Sequence, residues 1–300
     1  MNIPSELYTV VRRAQFAHEP VLIHAFYGFV DAGGGARLAV EHILATCEHH
    51  TLATFDVDQV MDYRARRPKM RFVRDHFESA DIDQIVLYEV IDAHGTGFLL
   101  LVGPEPDYQW QRFIAAVNEI CTEYRVRLSL SLAAIPWPSP HTRPLGIAVH
   151  GNEPALLAGF PPVVGEIEVP GHVGAMLELD LGRGGKPSIG ITAQVPHYLV
   201  QFEYPRAAQV MLDGVAATTG LSLSAQSLEA AAKTAEDEVA AQLSVNEEFS
   251  AVVVALEEQY DQATLAMQTL GGDSLPSGDE IAAQVEEFLS GIASDPEKEQ

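Results

Sequence analysis

The feature that most constrains this chain is one stretch, Val21-Leu-Ile-His-Ala-Phe-Tyr-Gly-Phe-Val-Asp-Ala-Gly-Gly-Gly-Ala-Arg37. Residues 21–27 form an apolar run of strand length. Gly33, Gly34 and Gly35 then permit a tight turn, and Ala36, Val40, Ile43, Leu44 and Cys47 recur at helical spacing. Strand, glycine turn and helix in that order is α/β grammar. Such a turn sits at the carboxyl end of a sheet, where helix amides point outward and ligands or partners bind.

The rest of the chain repeats the theme. Strands are expected at 52–57, 85–90, 98–102, 126–132, 145–150 and 188–195, and most are too apolar to leave one face wet. Helical stripes lie between them. Trp110, Phe113, Ile114, Val117, Cys121 and Tyr124 share one face, and Pro205 opens another helix that repeats Ala208, Met211, Leu212 and Val215. The segment 172–181 fits both periods and is read as helix. The expectation is a mainly parallel sheet covered on both sides, a three-layer α/β core.

After Gly220 the glycines and strands stop and Ala, Glu and Gln take over, so the chain divides into an α/β domain at 1–222 and an acidic helical region at 223–300. Leu228, Ala232, Ala235, Val239 and Leu243 mark one helix. Asn246 reads as the N-cap of the next, along which Phe249, Val253, Leu256, Tyr260, Ala263, Met267 and Leu270 make a heptad seam. That seam serves a helical hairpin within one subunit or a contact between subunits. A flexible link at 271–278 leads to a short amphipathic helix carrying Ile281, Val285, Phe288 and Ile292.

Charge narrows the function. The chain has 18 Lys and Arg against 42 Asp and Glu, a net charge of −24, and residues 223–300 hold 2 of the former and 17 of the latter, or −15. A surface this acidic repels phosphate backbones and anionic lipid, so neither nucleic acid nor membrane is expected as a partner. No apolar run approaches the roughly 20 residues that cross a bilayer, and the start lacks a signal pattern, so a cytoplasmic protein is expected. Cys47 and Cys121 sit at apolar helical positions and read as buried free thiols. Against the acidic background, residues 63–74 hold six of the basic side chains, including Arg64, Arg66 and Arg67. With Pro68 inside, this island is read as a loop, either solvated or attracted to the acidic tail.

Four loops follow predicted strands, at 28–35, 103–107, 135–143 and 196–198, and in a parallel sheet they converge on one edge. They offer Asp31, Glu105, Asp107, His141, Arg143 and His197, a set sufficient for acid/base work, with Arg37 or Arg143 and the glycines 33–35 for an anion. Structural roles compete: Asp31 and Asp107 can cap the helices that follow, and Arg143 can tie loop carbonyls. Nucleophile-elbow, phosphate-loop, dinucleotide and metal spacings are missing, so no cofactor and no metal are expected.

Five pieces together carry a family resemblance: Phe26-Tyr-Gly-Phe-Val-Asp-Ala-Gly, Asp62-Tyr-Arg-Ala-Arg-Arg-Pro, Gly103-Pro-Glu-Pro-Asp-Tyr-Gln-Trp, Pro140-His-Thr-Arg-Pro and Val195-Pro-His-Tyr-Leu. In this order, over about residues 20–220, the chain resembles the PAC2 family, in its actinobacterial branch. The family is named for a proteasome assembly chaperone. The resemblance implies a three-layer core similar in topology to nucleoside phosphorylases, a helical C-terminal region, and homo-oligomers, often trimers. It brings no catalytic residues. Some relatives dock on proteasome rings through a C-terminal hydrophobic-Tyr-any tripeptide, from which Lys298-Glu299-Gln300 departs. The expected function is a non-catalytic, self-associating assembly factor with a proteasome-related partner. The alternative is a small-molecule hydrolase or phosphorylase-like enzyme built on the strand-end loops.

Overall fold

The computed structural model describes residues 3–161, 165–243 and 247–269, without the side chains of 242, 243, 247, 248 and 266–269. Its elements in chain order are β1 (Tyr8–Val10), β2 (Val21–Tyr27), α1 (Gly35–Thr46), β3 (Glu48–Phe55), α2 (Val57–Val60), β4 (Lys69–Val73), β5 (His76–Asp81), β6 (Val86–Ile91) and β7 (Gly97–Pro104). Then come α3 (Trp110–Glu123), β8 (Leu128–Trp137), β9 (Ile147–Gly151), α4 (Pro154–Leu157), α5 (Val173–Arg183), β10 (Ser188–Pro196), α6 (Pro205–Thr219), α7 (Gln226–Leu243) and α8 (Glu247–Thr269).

Eight strands form one sheet in the order β1-β3-β6-β7-β2-β8-β10-β9. The four in the middle, β7, β2, β8 and β10, are mutually parallel, and antiparallel strands finish both sides. The parallel centre explains why those strands read as continuous apolar runs, since both of their faces are covered. Along β2 the alternation is visible: Val21, Ile23 and Ala25 point to a core shared with α1, α6 and α7. Leu22 and Phe26 point the other way, toward α3 and α5. The molecule is therefore three-layered, and the ambiguous segment 172–181 lies in helix α5.

Several expectations need correction. The basic island is a loop only in its first half, residues 63–68. Its second half is β4 of an antiparallel hairpin with β5, separate from the main sheet. Its ion pairs are Arg66 with Asp107 and Arg71 with Glu78, and none among the described residues reaches the tail. Cys47 is only partly buried, because it follows α1 as its C-cap, while Cys121 is buried as expected. The seam of α8 is half used: Val253 and Leu256 are buried, whereas Phe249 and residues 261–265 are exposed. Leu228 and Ala232 of α7 are buried, Leu228 within the α1/α6 core. The expected N-cap Asn246, the link at 271–278 and the last helix lie outside the described residues.

Candidate functional site

The carboxyl ends of β2, β7, β8 and β10 share one edge, because those strands are parallel. The four predicted loops do meet there. Their side chains, however, divide into three groups rather than one.

The first group surrounds the glycine turn. Gly33 and Gly34 both adopt left-handed backbone, with φ of 63° and 62°, which glycine takes without a Cβ penalty. Gly35 opens α1. Asp31 caps the helix as expected, its Oδ1 accepting from Ala36 N at 2.8 Å and Arg37 N at 3.3 Å. Burial raises its pKa, and those two amide bonds oppose the rise. Arg37 does not face an open anion site. Its guanidinium reaches Glu41 at 2.8 Å and Glu203 at 2.7 Å.

The second group follows β7. Asp107 does not cap α3, whose N-cap is Gln109 in left-handed backbone with φ 59°. The Asp107 carboxylate instead accepts from Asp62 N at 2.7 Å and from Arg66 at 2.9 Å, and Arg66 also donates to Glu105 O at 2.8 Å. Arg66 is thus the arginine of the island that braces this edge, while Arg64 and Arg67 are exposed. The Glu105 side chain is buried and accepts from Val173 N, at the start of α5, at 2.8 Å. Burial raises its pKa, offset in part by that amide and by Arg66.

The third group lies past β8 and β10. The Tyr198 hydroxyl accepts from His141 N at 2.8 Å and lies 2.8 Å from His141 Nδ1, so its own proton is free to donate to that ring nitrogen. Burial lowers the His141 pKa against the pull of Glu236 and Glu257. His197 is exposed and stands edge-on to the same tyrosine, ring centroids 5.4 Å apart. Arg143 makes one long contact to a loop carbonyl, Thr142 O at 3.4 Å. Its main partners are on α8: Asp261 is held by two bonds of 2.8 Å and Glu257 by one of 3.3 Å. Thr142 also bonds Glu257, and Tyr260 OH reaches Pro144 O. The acidic tail therefore clamps the 141–144 loop, not the basic island. A groove of about 630 Å³ opens beside this clamp, between His141, Arg143, Arg206, Asp213 and Glu236. Of the four loops only the one after β8 contributes to it.

Sequence reasoning missed a different set. Phe29 in the first of these loops, and Tyr108 and Phe202 just past the second and the fourth, have 62%, 51% and 52% of their surface exposed. Each follows a predicted strand, yet aromatic residues in loops carry no spacing signal. Among the described residues no group of three or more His, Cys, Asp or Glu could hold a metal ion. No described helix is long and apolar enough to cross a membrane.

A three-layer α/β protein with a parallel centre, a projecting hairpin and a helical C-terminal region is the class that fold and edge define. The chain belongs to the PAC2 family, whose match runs over residues 25–243. A Mycobacterium tuberculosis protein of unknown function is similar at 39% identity, covering 88% of this chain and 92% of its own, with a TM-score of 0.85. A Corynebacterium glutamicum protein of unknown function is 33% identical over 86% of this chain and 98% of its own, with a TM-score of 0.82. A Mycobacterium tuberculosis proteasome-assembly chaperone homologue shares the fold at 24% identity, covering 78% of this chain and 99% of its own, with a TM-score of 0.71. No curated protein matches the chain.

Proposed function

We propose that this is a cytoplasmic, self-associating assembly factor whose strand-end edge docks proteins rather than transforming small molecules, on a proteasome-related pathway. One observation carries the reading. Phe29, Tyr108 and Phe202 are exposed on a single edge, while the polar groups between them are committed to the protein's own bonds: Asp31 to α1, Glu105 to α5, Asp107 to Arg66 and Arg143 to α8. Exposed aromatics around a rigid, satisfied framework are what protein interfaces use as anchors. An enzyme would draw its loops around one enclosed pocket, whereas the groove near His141 takes residues from one loop only. The shared fold with a proteasome-assembly chaperone homologue supports the pathway. Self-association, with a trimer favoured by family, fits the β4–β5 hairpin, where Met70, Phe72 and Phe77 are exposed and a lone two-stranded ribbon is marginal in water.

The test is sedimentation of the full chain with purified proteasome subunits from the same organism. The wild-type chain should co-sediment with them, and a folded Phe29→Ser/Phe202→Ser variant should not. A wild-type chain that stays apart, or a variant that binds equally well, overturns the proposal.

A further inference from the structure

The sheet face beneath α5 carries polar side chains where an apolar layer is expected. His24 of β2 pairs in register with Ser131 of β8, Ser131 with Gly190 of β10, and Gly190 with His150 of β9. One line across four strands therefore holds two histidines and a serine. Helix α5 lies over it. A Cβ added to Gly174, in the helix's first turn, would stand 3.3 Å from His172 Nδ1 and 3.8 Å from His24 Cε1. One turn further along, Glu178 Oε1 bonds His150 Nδ1 at 3.0 Å. His24 is buried, and neither of its ring nitrogens has a partner.

The first turn of α5 depends on the state of one ring. His172 is the N-cap, and its Nδ1 accepts from Ala175 N at 3.3 Å. An imidazole nitrogen accepts only while unprotonated. A proton there replaces an acceptor with a donor aimed at a helix amide, adds positive charge at the positive end of the helix dipole, and does so beside buried His24.

We propose that the first turn of α5 is an acid-released latch: neutral His172 holds it shut, and protonation of His172 frees that turn while the His150–Glu178 pair keeps the rest of the helix on the sheet.

The groups facing this ring come from several elements: His24 on β2, His150 on β9, Glu178 on α5 itself, and Glu105 at the end of β7, which holds Val173 N. α3 meets the other end of the helix, where Asn118 bonds Asp180. Burial lowers the pKa of His172, with Glu178 opposing and His150 reinforcing. Burial, aided by His172, takes His24 down to about 3. Folded values below the ordinary histidine value of about 6.5 mean that both contributions are present above it and are lost as pH falls toward the folded value. His150 has the opposite sign. Its bond to Glu178 raises its pKa, so its contribution is complete below the ordinary value and lost only as pH rises through the raised one. Glu105, raised by burial, also favours the closed state in acid, its contribution complete below the ordinary carboxylate value and lost as pH rises through the raised one. Release therefore begins as pH falls through the ordinary histidine value and is confined to the helix end. The latch stands independently of what docks on the strand-end edge.

Hydrogen exchange of the full chain, read from pH 7.5 to 5.0 and corrected for intrinsic rates, tests this. Amides 173, 175 and 176 should lose protection progressively as pH falls below the ordinary histidine value, by at most about tenfold per pH unit, while amides 178–183 and β10 hold theirs. His172→Asn keeps a capping oxygen that does not titrate, so its first-turn protection should be flat across the range. Flat protection in the wild type, an unchanged loss in His172→Asn, or a loss spread over the whole sheet each overturns the latch.

Discussion

Replacing Gly33 by alanine should destabilise the protein well beyond the same change at Gly34, although the two glycines are adjacent and share one backbone conformation. The left-handed φ near 63° at both positions costs an L-residue about 1–2 kcal/mol. Space separates them. A Cβ on Gly33 would lie 2.9 Å from Tyr204 Cβ and 3.3 Å from Val195 Cγ1, both parts of buried side chains. The backbone cannot step aside, because Gly33 N donates to Val200 O at 3.1 Å and Gly33 O accepts from Tyr204 N at 2.9 Å. Overpacking of this kind adds about 1–3 kcal/mol. The total for Gly33→Ala is then about 2–5 kcal/mol. At Gly34 the nearest atoms are all in the Arg37 guanidinium, 2.8 Å away at the end of a flexible chain that can swing outward. Only the backbone cost of about 1–2 kcal/mol remains. Urea unfolding of both variants, compared at constant m-value, measures the difference. Equal losses, or a larger loss for Gly34→Ala, would refute the idea that the turn is locked against β10 and the start of α6.

Three further outcomes follow from the packing. Phe113→Ala empties a site between Phe26 and Phe55 and should cost about 3–5 kcal/mol in the same assay, whereas a loss under about 1 kcal/mol would deny α3 its place in the core. Residues 1–222 are proposed to fold alone, but a chain ending at 243 should be more stable, since Leu228 then returns to the core and burying one leucine contributes about 1.5–3 kcal/mol. An insoluble or molten 1–222 beside a native 1–243 would move the boundary past α7. Arg143→Ala should release α8 and speed its proteolysis at low salt, with a smaller effect at high salt because the Asp261 and Glu257 pairs are partly exposed and screened. Unchanged cleavage at low salt would show that the Val253 and Leu256 contacts, with the Thr142 and Tyr260 bonds, hold the helix without Arg143.

The parallel centre of the sheet was legible because β2, β7, β8 and β10 are buried on both faces and so read as apolar runs. The glycine turn was legible because its chemistry is local. The β4–β5 hairpin was not, since Met70, Phe72 and Phe77 face outward and the charges around Pro68 mimic a loop. The role of Asp107 was misread for a related reason: its partner Arg66 lies 41 residues away, and capping is the only use that neighbours in sequence suggest. The polar row beneath α5 shows the limit most clearly. His24, Ser131, His150 and His172 look dispersed along the chain, and only strand register and the seating of α5 bring them together.

The central claim, that the strand-end edge is a docking face, is tested most directly by site-specific photo-crosslinking. A photoreactive residue placed at Phe29 or at Phe202 reports what touches that edge, and one at Arg125, on the connection between α3 and the start of β8, reports the opposite edge. The account predicts crosslinks to a proteasome-related protein from positions 29 and 202 and none from 125. Crosslinks of equal yield from all three positions, or none from 29 and 202 in the presence of proteasome subunits, would contradict it.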